Sequence, residues 1–183
     1  ITRLDADRWP VRYDARADQP DWNQPGFDDR AWRPAQVRAA PAARACAQPV
    51  EPNRVRRRFA PVRIESCDNA AWQVDFGCNL AGLLDIRFPG PLPRGQELRL
   101  DYFDRLVDEK GQPAKPTGRD AYVAAGAAEE RFVSRFNYQG FRYVRVAGLP
   151  RAPRAEDAAA LLAHTDYETG SSFACSNARL TAI

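Results

Sequence analysis

Carboxylates are the most plentiful reactive side chains in this sequence, and paired acid–base hydrolysis is the first chemistry they suggest. Asp75, Asp85, Asp101, Asp104, Asp108, Glu109, Asp120 and Asp166 are spread along the chain. Splitting a glycosidic bond with inversion takes two carboxyl groups ~6.5–9.5 Å apart, one of them held protonated. No spacing here pairs any two of these residues. Most sit beside Gly or Arg in turns or on polar strand faces, where a solvated carboxylate is the expectation. No residue is assigned a catalytic role on this basis.

The other reactive types are sparser. His164 is the only histidine and lies in the strand-like run Leu161–Asp166, and the Gly-x-Ser-x-Gly elbow of a serine hydrolase is missing. It reads as a structural residue at a strand end. Cys46, Cys67, Cys78 and Cys175 lack metal-ligand spacing and are expected to be small buried hydrophobes, not a disulfide framework. Neither a metal nor a cofactor is expected. Sugar stacking remains, since an exposed aromatic can cover the apolar face of a pyranose while polar groups hold its hydroxyls. Trp22, Trp32 and Tyr138 stand in loop-like or polar contexts and are the carbohydrate-binding candidates. Trp72, Phe76, Phe136, Phe141 and Tyr143 read as core.

These residues must be positioned by β-structure. Trp72, Val74 and Phe76 alternate with Gln73 and Asp75, the period of a half-buried strand. Gly77 and Gly82 bracket a short connection before a second strand, Leu83–Phe88. Val55–Ser66, Glu97–Leu106, Arg119–Val123, Arg131–Phe136, Phe141–Ala147 and Ala158–Thr165 continue the series, each bounded by Gly, Pro or Asn. Tyr138-Gln139-Gly140 is expected to be a hairpin turn, with Phe141 and Tyr143 side by side on one face of the strand after it. Strands of this length and spacing predict an all-β fold, a two-sheet antiparallel β-sandwich of jelly-roll or concanavalin-like type. A short helix start is expected at Ser176–Ile183, where capping residues precede good helix formers.

Composition narrows the classes. The 183 residues allow one domain or one domain with part of a neighbour. No apolar run approaches the ~20 residues of a membrane-spanning helix. The 27 basic residues are nearly balanced by 24 acidic ones, and the tightest basic run, Arg54–Arg58, falls inside a strand. That pattern fits a solvated strand edge better than a nucleic-acid surface. The chain starts at Ile1 and holds no Met, which suggests a fragment. The compartment is left open, with a lean to the cytoplasm.

Four short motifs carry a family resemblance. They are Trp22-Asn23-Gln24-Pro25-Gly26-Phe27-Asp28-Asp29-Arg30-Ala31-Trp32, Trp72-Gln73-Val74-Asp75-Phe76-Gly77-Cys78-Asn79-Leu80-Ala81-Gly82, Phe136-Asn137-Tyr138-Gln139-Gly140-Phe141-Arg142-Tyr143-Val144, and Gly170-Ser171-Ser172-Phe173-Ala174-Cys175-Ser176-Asn177. In this order the chain resembles the β-sandwich that precedes the catalytic domain of bacterial α-L-rhamnosidases, departing from the family's pattern at Cys78, Gln139 and Asp104. The resemblance implies the tail of a preceding β domain over 1–40, a linker over 41–52, the sandwich over 53–175, and the start of a helical catalytic domain at 176–183. It also implies that the acid and base of the parent glycosidase lie beyond Ile183. The partners it implies are that catalytic domain and a rhamnosylated glycan, with no nucleic acid and no membrane. A stand-alone carbohydrate-binding module and a protein-interaction sandwich remain as alternatives, because fold alone does not fix function.

Overall fold

The structure is a computed structural model that describes residues 2–4, 11–67, 71–168 and 170–181. The last two residues of the expected helix start lie outside that set. Ten strands form one curled sheet. They are β1 (Thr2–Leu4), β2 (Val11–Asp14), β3 (Asn53–Phe59), β4 (Arg63–Cys67), β5 (Ala71–Phe88), β6 (Glu97–Phe103), β7 (Gly118–Val123), β8 (Glu130–Val133), β9 (Gln139–Ala147) and β10 (Ala158–Thr165). One short helix, α1 (Ala178–Thr181), follows. Asn177 caps it by accepting the Arg179 amide at 3.0 Å.

The order β1-β2-β7-β6-β9-β5-β10-β3 runs across the sheet, with β4 and β8 added along β5. All pairings are antiparallel except β2 with β7, which is parallel. β2 reaches that place from a segment some hundred residues away in sequence, a pairing that no hairpin pattern could announce.

The two strands expected on either side of Gly77–Gly82 are a single strand, the 18-residue β5. Strands usually run 3–10 residues. This one can be longer because it serves two layers. Its first part pairs with β4 and β9, β9 pairs with it again from Leu80 to Gly82, and its last part pairs with β10 and β8. The change of layer occurs at a bulge, where the step from Asp75 to Leu80 on β5 is matched only by Tyr143 to Phe141 on β9. A bulge bends and twists the strand that carries it. Gly77 supplies the positive φ, +80°, that the bend requires. At Gly82 the constraint is space, since a Cβ there would overlap the Leu161 carbonyl oxygen.

Curling encloses one core. Val74, Phe76, Leu80, Leu84, Ile86, Leu98, Leu100, Tyr102, Tyr122, Phe132, Phe141, Val144 and Val146 all belong to it. Aromatic rings tie the core together: Phe132 of β8 meets Tyr122 of β7 at 5.9 Å, and Phe141 lies edge-on to Phe76 at 5.9 Å and to Tyr102 at 5.2 Å on the two strands beside it. Outside this frame, residues 33–52 form no strand or helix and are exposed. β3 pairs with β10 alone, and its four arginines lie on an exposed edge.

Several local expectations change. Tyr138-Gln139-Gly140 is not a turn: Gln139 and Gly140 lie within β9, and β8 and β9 both pair with β5. Phe141 and Tyr143 do not share a face. Phe141 is buried and Tyr143 half-exposed, because the core-facing set of β9 shifts from Phe141 to Val144 and Val146 where β5 bulges beside it. Phe136 is not core but 70% exposed. None of the four cysteines is a buried hydrophobe. Cys46 and Cys175 are exposed, Cys67 and Cys78 are half-buried, and none is in a disulfide.

Removing the Phe141 ring should open a cavity between the layers. Phe141→Ala is expected to cost ~3–5 kcal/mol, read from the urea midpoint. Tyr143→Ala should cost clearly less, and equal losses would refute this placement.

Candidate functional site

The three candidate aromatics divide into two groups. Trp22 and Trp32 come together on the segment after β2, with ring centroids 6.5 Å apart, and Phe27 lies 5.4 Å from Trp32. The segment is folded by its own turns. Asp28 accepts the Arg30 backbone amide and pairs with its guanidinium, and Trp32 Nε1 donates to Gln19 Oε1 at 2.7 Å. Trp22 remains 61% exposed and Trp32 45%. Tyr138 belongs elsewhere. It precedes β9, is half-exposed, and donates its hydroxyl to the Ala163 carbonyl of β10.

The carboxylates are not the solvated groups their sequence contexts suggest. Asp85, Asp101 and Asp120 are buried, as is Glu130, which no pattern in the sequence singled out. Asp120 faces the core, opposite Leu100 of β6. Its Oδ2 accepts from the hydroxyls of Tyr102 and Ser134, each at 2.7 Å, and its Oδ1 from the Val11 amide at 3.1 Å and Asn137 Nδ2 at 3.2 Å. Burial, then the Asp120 charge and hydrogen bond, push the Tyr102 phenol far above its ordinary value, so Tyr102 is a donor at any working pH. Glu130 accepts from the Tyr122 hydroxyl and from the amides of Ala125, Gly126 and Ala127. The signal that could have exposed it is the Ala125-Gly126-Ala127 run just upstream, whose turn presents its N–H groups together.

Most of the remaining acids are paired with arginine. Arg142 holds Asp75 through two hydrogen bonds of 2.8 and 2.9 Å. These, against the cost of burial, keep the Asp75 carboxyl below the usual carboxylate range. Burial works to raise Asp85, but the guanidiniums of Arg131 and Arg58 outweigh it and hold this carboxyl low as well. Asp101 lies between Arg119 at 2.5 Å and Arg99 at 3.0 Å, and Asp166 binds Arg54 and Arg56. Asp104 pairs with Arg105, and Asp108 accepts the Lys110 and Gln112 amides in an exposed turn. A glycosidase acid needs a raised pKa, whereas Asp75 and Asp85 are shifted the opposite way. His164 is exposed on β10, with Nδ1 2.8 Å from the Thr165 carbonyl. No group of three or more metal-ligating side chains occurs among the described residues.

The architecture is that of an all-β sandwich domain whose buried acids hold its layers together. Residues 65–164 match the family described as bacterial alpha-L-rhamnosidase concanavalin-like domain, and residues 11–57 match the alpha-L-rhamnosidase N-terminal domain. The chain belongs to the bacterial alpha-L-rhamnosidase family, as its concanavalin-like domain. An alpha-L-rhamnosidase of Formosa agariphila is 29% identical over 90% of this chain and 18% of its own length. The solved alpha-L-rhamnosidase of Dictyoglumus thermophilum superposes with a TM-score of 0.76 at 30% identity, over 91% of this chain and 19% of that one. That of Aspergillus terreus gives 0.75 at 29%, over 93% and 20%. The chain thus spans about a fifth of the length of the relatives it matches.

Two outcomes follow from the carboxylates. Asp120→Ala should destabilise the fold by ~3 kcal/mol or more, because it strands buried donors on three elements. Asp120→Asn, which keeps the shape, should cost less. The second concerns Asp75, whose pKa is lowered on folding, so its pairing stabilises the protein above the unfolded value near ~3.9 and is lost as pH falls through the folded value. Arg142→Ala should therefore lower the urea midpoint at pH ~7, and the gap should close below pH ~4. A gap that persists in acid would show that Arg142 acts by packing alone.

Proposed function

We propose that this domain braces the catalytic domain of an α-L-rhamnosidase that releases terminal α-linked rhamnose, and that it contributes no acid or base of its own. The observation that carries this reading is the use of its buried carboxylates. Each is held by arginines, hydroxyls or backbone amides of the domain itself. A scaffold built this way resists deformation, which suits a domain that positions a neighbour. The proposed organisation is the tail of a preceding β domain over 1–40, whose strand β2 completes the sheet, then a linker over 41–52, the sandwich over 53–175, and the approach to the catalytic domain over 176–183.

A rhamnosylated glycan is the proposed ligand of the Trp22–Trp32 pair, since two half-exposed indoles side by side offer a platform for a sugar ring. Tyr138 is the weaker candidate, because its hydroxyl is already engaged by β10.

The purified 183-residue chain should not cleave an aryl α-L-rhamnoside. Turnover above buffer that disappears on substituting one of its carboxylates would overturn the non-catalytic reading. In the same preparation, L-rhamnose should quench or shift the indole fluorescence. Loss of that response in Trp22→Ala with an unchanged urea midpoint would support the platform, and a response that persists would reject it.

A further inference from the structure

The outer face of the sheet carries a ladder of polar side chains. Arg119 of β7, Asp101 of β6, Arg145 of β9, Gln73 of β5 and Glu65 of β4 lie opposite one another in register across five strands. The polar contacts run along it. Gln73 Nε2 donates to Glu65 Oε1 at 3.2 Å, which turns the Gln73 carbonyl towards Arg145 Nε at 3.1 Å. Arg145 then lies over the Phe103 ring, 4.7 Å from its centroid. Arg119 and Arg99 are tethered through Nε to the two oxygens of Asp101.

Three guanidiniums are therefore each fixed by Nε, while their terminal nitrogens have no hydrogen-bond acceptor among the described residues. All three line one hollow of about 220 Å³, with Ala114 and Pro116 of the loop after β6 on one side. Against three positive charges the hollow sets a single carboxylate, Asp101, whose oxygens are already engaged. Guanidinium groups present paired donors that match a carboxylate, and fixing them beforehand lowers the entropy cost of binding. The volume lies below the ~300–1,000 Å³ of a pocket for drug-sized ligands. It admits one ring, and Ala71, Ala147 and Pro116 give such a ring apolar walls.

We propose that this hollow binds a carboxylate carried on a single sugar-acid unit. The assignment does not depend on the rhamnosidase reading, because it rests on the arginines and on the size and walls of the hollow. It would stand if the aryl rhamnoside and indole experiments failed.

The test is an amide NMR titration of the 183-residue chain at low ionic strength with D-glucuronate. D-Glucose serves as the neutral counterpart and acetate as the bare carboxylate. Glucuronate should shift the amides of Arg99, Asp101, Arg119 and Arg145 saturably and more tightly than acetate, glucose should leave them in place, and added salt should weaken the binding through screening. Arg119→Gln and Arg145→Gln should each weaken it about tenfold, the loss of one charge-assisted contact. Binding that survives both arginine substitutions, or no saturation at tens of millimolar glucuronate, overturns the site. Equal affinity for acetate overturns the sugar-acid assignment.

Discussion

The Asp120 carboxylate has to be hydrogen-bonded wherever it sits, and it sits at the centre of the core. A charge removed from water is tolerated only when its lone pairs are filled. Here the donors come from β2, β6 and the turn between β8 and β9. Each donor fixes something that hydrophobic packing alone would leave adjustable. The Val11 amide sets the parallel register of β2 on β7, Tyr102 sets the rotation of β6, and Ser134 with Asn137 sets the path of the chain into β9. A one-residue slip of any of these strands would leave the carboxylate short of a partner. Burying a charge thus supplies specificity that the apolar residues, being interchangeable, do not.

β5 meets a second constraint. A single strand with neighbours in both layers must change direction without breaking its ladder, and the bulge at Gly77 with the close crossing at Gly82 achieves this. The cost of the irregularity is shared by interactions placed beside it. Asp75, at the edge of the bulge, accepts the Gly77 amide as well as the Arg142 guanidinium. The motif that marks the family is therefore concentrated where the fold is most demanding. That accounts for words such as Phe-Gly and Gly-Phe-Arg-Tyr without giving them any role towards substrate.

The division of polar groups follows the same logic. Inside, carboxylates receive hydroxyl and amide donors, which carry no charge and need no solvent. On the outer faces and at the layer edge they receive arginines, whose heads remain about half exposed beside Asp85 and Asp101. Surface pairs of this kind contribute little stability singly. Held in rows across neighbouring strands, they stiffen the faces and leave guanidinium donors with no acceptor among the described residues. The Trp22–Trp32 pair occupies a different position, on a run of turns outside the core.

Much of this was legible in the sequence. Apolar alternation between Gly, Pro and Asn breaks marked β6 to β10 to within a few residues, because the pattern is local, whereas β1 and β2 were not expected and Val55–Ser66 covered both β3 and β4. The family motifs carried the membership, and the glycine requirements at Gly77 and Gly82 could be anticipated from the residue type. What the sequence could not reveal was which distant segments meet. The merging of two expected strands into β5, the opposite fates of Phe141 and Tyr143, the exposure of Phe136, and the burial of Asp120 and Glu130 all depend on pairings between segments far apart in the chain. Whether an aspartate in a strand is solvated or central is decided by the partner strand that covers it. Only the folded chain brings Val11, Tyr102, Ser134 and Asn137 to one carboxylate, and three arginines to one hollow.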